Sequence, residues 1–372
     1  MKVNIERELL LRVLTHVQSV VERRNTIPIL ANVKIDAADG RLGLNATDMD
    51  LDIVESVEAA VITPGSTTAS AHILFDIVRK LPEGAEVELD CSGEDGQLVL
   101  SAGRSRFKLS CLPTEDFPVM SLGDLPYSFS FSANDMKGLI DRTRFAISTE
   151  ETRYYLNGIY FHSAEEDGTP LLRAVATDGH RLASVDYPLP DGAAGMPGVI
   201  IPRKAISELR KLIDETDDDL AIALSDSKIR FTFGGACLTS KLIHGTFPDY
   251  SRVIPADNDR ILEFECRQFA DAVDRVSAIS TEKSRAVKLS LSKGNIVLSA
   301  NSPENDSATE ELPVIYDAPE MEIGFNSRYL LEIANQIEGD TARFSLADAA
   351  SPTLIRDAGD ESALYVLMPM RV

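Results

Sequence analysis

The residues most suggestive of chemistry are Asp178-Gly-His180, where a carboxylate two positions from an imidazole could orient the ring for proton transfer or share a metal ion. The other histidines, His16, His72, His162 and His244, supply no second ligand at a typical spacing. Nucleophile-elbow, paired-His metalloprotease, phosphate-loop and dinucleotide-binding motifs are all missing. The simpler reading of Asp178-Gly-His180 is a turn whose histidine is satisfied locally. Cys91, Cys111, Cys237 and Cys266 lie far apart, with no CxxC pair and no zinc spacing. No metal and no cofactor is expected. A disulfide framework is not expected either, which points to the cytoplasm.

A second kind of chemistry is electrostatic. The 372 residues carry a net charge of −22, which repels a polyanion if spread evenly. It is not spread evenly. Six amphipathic helices are expected at about 5–20, 71–81, 132–147, 203–213, 266–279 and 326–337, and their charges sum to +5 against −27 for the rest of the chain. Helical faces gathered on one surface can therefore meet phosphates while the remainder repels them. Exposed Lys and Arg opposite an apolar face give the same count with no DNA involved, so composition leaves both readings open.

The elements carrying these residues recur. Ala146-Ile-Ser-Thr-Glu150 returns as Ala278-Ile-Ser-Thr-Glu282 after 132 residues. Ala46-Thr-Asp48 returns as Ala176-Thr-Asp178, and Phe117-Pro118 as Phe247-Pro248, each after 130. The chain reads as one unit of roughly 125–130 residues present three times, with segments 1–125, 126–256 and 257–372. Each opens on an alternating strand (2–5, 127–131, 261–265), followed by helix, strands, a second helix and more strands. In the first helix Leu9, Val13, Leu14 and Val17 form the apolar stripe. Turns at Asp39-Gly40, Pro82-Glu-Gly84 and Gly234-Gly235 separate strands, so the fold class is α+β with antiparallel sheets. With 44% hydrophobic and 26% charged residues the composition is that of a globular protein, with no run long enough to span a membrane. The start, Met-Lys-Val-Asn-Ile-Glu-Arg, does not read as a signal peptide.

Several segments in order carry a resemblance: Thr26-Ile-Pro-Ile-Leu30, Gly103-Arg-Ser-Arg-Phe107, Arg153-Tyr-Tyr-Leu-Asn-Gly158, Ala176-Thr-Asp-Gly-His-Arg-Leu-Ala183, Phe247-Pro-Asp-Tyr250, Met321-Glu-Ile-Gly-Phe-Asn326 and Met368-Pro-Met-Arg371. From end to end the chain resembles the bacterial sliding clamps, the beta subunits of DNA polymerase III. The resemblance implies three clamp domains per chain, two chains closing head to tail into a ring around duplex DNA, and no catalytic activity. It implies DNA contacts at Arg24, Arg79, Tyr154, Tyr155, Arg203 and Lys204, with Glu150, Glu151 and His72 departing from the expected basic character. It implies a homodimer interface at Arg104, Arg106, Phe107 and Leu109 against Ala278 and Ile279, with acids of the Glu304–Glu311 stretch pairing Arg104 and Arg106.

The resemblance also implies a pocket for partner peptides of Gln-plus-apolar type. Its residues are Leu156, Thr177, Gly179, His180, Arg181, Leu182, Pro248, Arg252, Val253, Asn326, Tyr329, Val366, Met368, Pro369, Met370 and Arg371. The residue types suit such a pocket, since the aliphatic groups can desolvate a partner's Leu or Phe and deformable methionines accommodate varied sequences. Pro369 is expected to keep the tail out of a sheet ladder, leaving its backbone available. Partners implied are the replicative polymerase, the clamp loader, and other polymerases and repair proteins. Outside the resemblance, two alternatives stand: a hydrolase or metal enzyme built on Asp178 and His180, and a monomeric three-domain peptide-binding scaffold.

Overall fold

Apolar residues at helical spacing form six α-helices among the described residues, close to the expected positions. They are α1 (Arg7–Val17), α2 (Ala71–Lys80), α3 (Ala133–Thr143), α4 (Arg203–Leu212), α5 (Cys266–Ser277) and α6 (Ser327–Ala334). The structure is a computed structural model and describes residues 1–24, 26–93, 96–121, 123–280, 285–302 and 306–371. In α1 the buried stripe is Leu10, Val13, Leu14 and Val17. Leu9, expected in that stripe, is only half-buried, and Leu10 takes its place beside Val13, Leu14 and Val17. Strands run directly into helices, and at α5 and α6 a polar residue at the junction takes over the first free N–H groups. Glu265 accepts from Arg267 and Gln268 at the start of α5, and Asn326 from Arg328 at the start of α6.

The chain forms two compact units. The first comprises Met1–Lys137, Pro190–Pro197 and Lys204–Leu242, and the second Gly138–Leu189, Gly198–Arg203 and Ile243–Val372. The first holds a five-stranded sheet in the order Ala60–Thr63, Lys2–Glu6, Glu86–Asp90, Gln97–Ala102, Ser105–Ser110. Its eight-stranded sheet joins Leu51–Glu58 to Ala236–Lys241 from Leu51↔Ser240 to Glu55↔Ala236.

In the second unit, a nine-stranded sheet joins Arg181–Pro188 to Asp360–Leu367, with Leu182 opposite Val366. A four-stranded sheet has Ser307–Pro313 at one edge and Met321–Asn326 at the other. Every strand pair is antiparallel, and both long-range ladders cross the boundaries expected between sequence segments.

Gly158 shows how closely neighbouring strands of the nine-stranded sheet approach. A Cβ there would sit 2.2 Å from the Ile201 carbonyl oxygen, so only glycine allows this strand to pair with Val199–Pro202.

Candidate functional site

All sixteen residues expected at the peptide pocket lie in the second unit. Leu156, Leu182 and Val366 share one buried cluster with Val175, Ile200 and Phe247, and Tyr155, Tyr160 and Tyr250 pack against it. Leu182 and Val366 meet because their strands pair in register, two strands 184 residues apart supplying one apolar floor. Val253 and Met368 remain 47% and 40% exposed, as large apolar side chains at the water boundary. Pro248 and Arg252 are exposed on the same loop as Val253, and Arg252 is paired with Asp249 at 2.8 Å.

The Asp178-Gly-His180 turn does not couple the carboxylate to the imidazole. Asp178 Oδ1 accepts from the backbone of His180 at 2.9 Å and of Arg181 at 3.1 Å, while Oδ2 accepts from Arg181 Nε at 3.2 Å. Thr177 Oγ1 donates to the Arg181 carbonyl and accepts from Gly179, whose φ of +89° places it in the left-handed region. The His180 ring stacks on Tyr329 at 6.3 Å and stays exposed. This is the turn reading, with the carboxylate fully engaged in holding the chain and Arg181.

Arg181, expected among the pocket residues, is buried. It bonds Asp178, Glu332 and the Phe145 carbonyl, and lies over the rings of Tyr329 (4.3 Å) and Phe145 (5.0 Å). It ties α6 to the turn. Asn326 likewise uses its side chain as a helix cap, and burial raises the Tyr329 phenol above its usual pKa.

The C-terminal tail corrects a second expectation. Pro369 does end the regular ladder at Leu367, but the flanking N–H groups are occupied: Met368 donates to His180 O at 2.9 Å and Met370 to Gly324 O at 2.8 Å. The tail is therefore tacked to both the turn and the edge strand Met321–Asn326. Pro369, Met370 and Arg371 border a hollow of about 730 Å³ with Gly324, Lys288 and Glu322.

The expected DNA contacts fall in both units. In the first, Arg24 is exposed, Arg79 pairs with Asp76 at 3.0 Å, and Lys204 is held by Asp48 and the Val20 carbonyl. In the second, Tyr154 is exposed with its ring edge-on to Tyr155, and Arg203 is exposed at the first turn of α4. Glu150 is matched by Arg153 at 2.7 Å, which keeps its carboxyl below the usual range. His72 is bound at 3.0 Å to the Val21 carbonyl.

Of the expected interface residues, Arg106 is exposed, and Phe107 and Leu109 half-buried, on the edge strand of the five-stranded sheet, and Arg104 is exposed in the turn before it. Phe107 borders a hollow with Ile73, Ile77 and Pro82. Ala278 caps α5 and is exposed, while Ile279 is half-buried. Two of the acids behind them are engaged within the chain. Glu310 takes Arg275 at 2.6 Å, Glu311 accepts from Asn295, and Glu304 lies outside the described residues.

Sequence reasoning missed His162. It stacks on Tyr160 at 4.5 Å and bonds Tyr250 at 3.0 Å beneath the pocket loop, and the alternation Tyr160-x-His162 on one strand face was the available signal.

The comparisons with known proteins agree end to end. Family descriptions of the DNA polymerase III beta subunit match at residues 1–121 (N-terminal domain), 130–249 (central domain) and 251–371 (C-terminal domain). The beta sliding clamp of Caulobacter vibrioides is 55% identical and that of Escherichia coli 41% identical, each over all of both chains. Among solved structures, the Caulobacter crescentus beta sliding clamp has a TM-score of 0.98 at 55% identity, covering 100% of this chain and 99% of that one. The Bartonella birtlesii sliding clamp bound to griselimycin has 0.97 at 51% identity over all of both. The chain belongs to the DNA polymerase III beta subunit family, the beta sliding clamps.

Proposed function

We propose that this chain is a DNA sliding clamp, a non-catalytic processivity factor that encircles duplex DNA and tethers replication enzymes to it. The observation that carries this is the unbroken likeness to beta sliding clamps over all 372 residues, at 55% identity and with a TM-score of 0.98. In this reading the segments 1–125, 126–256 and 257–372 are the three clamp domains, and two chains close head to tail. The open edges Ser105–Ser110 and Ser307–Pro313 support a head-to-tail contact, since each leaves a row of backbone groups without a neighbouring strand. Arg24, Arg79, Tyr154, Tyr155 and Arg203 face DNA through phosphates alone, which lets the ring slide without reading sequence, while Lys204, expected beside them, is taken up by Asp48 and the Val20 carbonyl.

The pocket is the tether. Leu156, Leu182 and Val366 are its floor, and Val253 and Met368 its exposed sides. Each apolar side chain a partner buries there contributes about 1.5–3 kcal/mol. Two or three such anchors contribute about 3–9 kcal/mol before the ordering cost is taken off, so the net hold is weak and reversible. That suits partners that must exchange: the replicative polymerase, the clamp loader, other polymerases and repair proteins. The work is cytoplasmic in this reading. No helix among the described residues is long and apolar enough to cross a membrane.

The test is retention on nicked circular DNA after loading by a compatible clamp loader with ATP. Loss on linearising the circle at unchanged salt is expected, because a topological hold ends when the circle does. Retention on the linear product overturns the ring reading in favour of plain electrostatic binding.

A further inference from the structure

The loop 247–253 carries three exposed pocket residues, Pro248, Arg252 and Val253, yet it pairs with no strand. A column of rings holds it instead. Phe247 stacks on Tyr160 at 4.8 Å and 6°, and Tyr160 on His162 at 4.5 Å and 27°. His162 then meets Tyr250 at 5.9 Å, and Tyr250 returns edge-on to Phe247 at 6.5 Å. Tyr160 and His162 face the same way because they sit two residues apart on strand Gly158–Glu166. The lower end of this column is the pocket floor itself, since Phe247 is buried with Leu156, Leu182 and Val366.

The polar end fixes a proton. His162 Nδ1 is 2.9 Å from the Ser163 carbonyl, which can only accept, so Nδ1 carries the hydrogen. Nε2 is then a bare acceptor 3.0 Å from the Tyr250 hydroxyl, and Tyr250 donates to it. Across the ladder from His162 stands Arg173, whose guanidinium interacts with the same hydroxyl. Arg173 is itself held by Asp186 at 2.6 Å and Glu166 at 2.5 Å. Burial keeps the His162 imidazole below its ordinary pKa; Arg173 adds to this, and the Ser163 bond and Asp186 oppose it.

We propose that His162 is a positioning residue for the peptide pocket, its neutral Nε2 holding Tyr250 and so fixing Pro248, Arg252 and Val253 at the rim. Protonating His162 turns Nε2 from acceptor to donor beside the Arg173 guanidinium, so the Tyr250 hydrogen loses the acceptor that held it and the anchor of the loop weakens, with Asp186 the opposing charge nearby. The inference rests on the peptide-pocket reading above. The wild-type pH profile is compared with a variant lacking only His162, because His180 is also exposed among the pocket residues and is common to both proteins.

The experiment is fluorescence polarisation of a labelled synthetic peptide carrying one Gln followed by Leu and Phe. It is titrated with the full chain as wild type, His162→Phe and Tyr250→Phe, from about pH 7.5 down to about pH 5. Both variants keep the rings and lose the hydrogen bond. Near pH 7.5 each is expected to bind about three- to tenfold more weakly than wild type, the range for one buried neutral hydrogen bond. As pH falls, wild type loses affinity more steeply than either variant. Wild-type affinity in Tyr250→Phe near pH 7.5, or parallel pH profiles for wild type and His162→Phe, overturns the inference alone. If His162→Phe melts early, Tyr250→Phe against wild type decides on both counts. No binding by wild type near pH 7.5 overturns the pocket reading and this inference with it.

Discussion

His16 Nδ1 stands 2.7 Å from Glu55 Oε2, a buried imidazole against a buried carboxylate. The other ring nitrogen is 3.5 Å from Glu215, and Arg12 approaches Glu55 at 4.0 Å. Ser19 to Glu208 and Lys204 to Asp48 are further links in the same unit. Together they connect α1, strand Leu51–Glu58 and α4 with the turn after it, elements from the first and second sequence repeats. The ladder between Leu51–Glu58 and Ala236–Lys241 is thereby reinforced by charge as well as by backbone bonds.

This pair predicts a pH-dependent stability. Burial pulls the His16 pKa down, but the hydrogen bond and charge of Glu55, aided by Glu215, outweigh it, and the folded value is raised above 6.5. The extra stability is therefore complete below the unfolded pKa and is lost as pH rises through the folded one. His16→Gln is expected to cost about 1.5–3 kcal/mol in mildly acidic buffer and distinctly less in alkaline buffer. Thermal unfolding of both proteins across pH checks it; a gap independent of pH removes His16 as the cause.

Asp52 works in the opposite sense. Burial pushes its carboxyl up to about 6, a bond from Asn45 offsets part of that, and Oδ1 has no partner. A raised carboxyl favours the protonated folded state, so the cost is present above about pH 6 and disappears as pH falls toward the ordinary value of 3.8. Asp52→Asn should stabilise the protein by about 1–3 kcal/mol near neutral pH and by little in acid. Melting curves at the two conditions decide; equal gains at both would point to packing instead of charge.

The helices were legible and the long-range ladders were not, for a physical reason. Apolar spacing is a local property, so α2, expected at 71–81, stands at Ala71–Lys80, and α6, expected at 326–337, stands at Ser327–Ala334. Nothing local says that Leu51–Glu58 pairs with Ala236–Lys241, or Arg181–Pro188 with Asp360–Leu367. The pocket divides the same way. Residue types at Leu156, Leu182 and Val366 suggested an apolar floor, and they do cluster. The partners that occupy Arg181 and Lys204, Glu332 and Asp48, lie 151 and 156 residues away, so no local pattern could reveal them.

Arg181 should therefore behave as a structural residue whatever else it does. Arg181→Ala leaves Asp178 without its side-chain cation and Glu332 without one of two, and it removes the bond to Phe145 O. A loss of about 3–5 kcal/mol is expected, and Arg181→Lys should recover little because an ammonium cannot reproduce the fork or the stacking on Tyr329. Met368→Ala provides the contrast: exposed, it should weaken peptide binding and leave the melting temperature nearly unchanged. If Arg181→Ala melts like wild type and loses only peptide, its side chain serves the partner and not the fold.

Arg203 and Lys204 are neighbours in sequence with opposite prospects on DNA. Arg203 is exposed, whereas the Lys204 ammonium is already bound by Asp48 and the Val20 carbonyl and has Glu22 at 3.7 Å. A cation neutralised within the protein releases few counterions when DNA arrives. Arg203→Ala should flatten the salt dependence of DNA binding by up to about 0.9 in log–log slope, the value of one full phosphate contact. Lys204→Ala should leave the slope nearly unaltered and show itself in melting, because Asp48 loses its partner. Binding measured over a salt series with both variants separates the two, and an equal drop in slope would mean that Lys204 leaves Asp48 for phosphate on DNA.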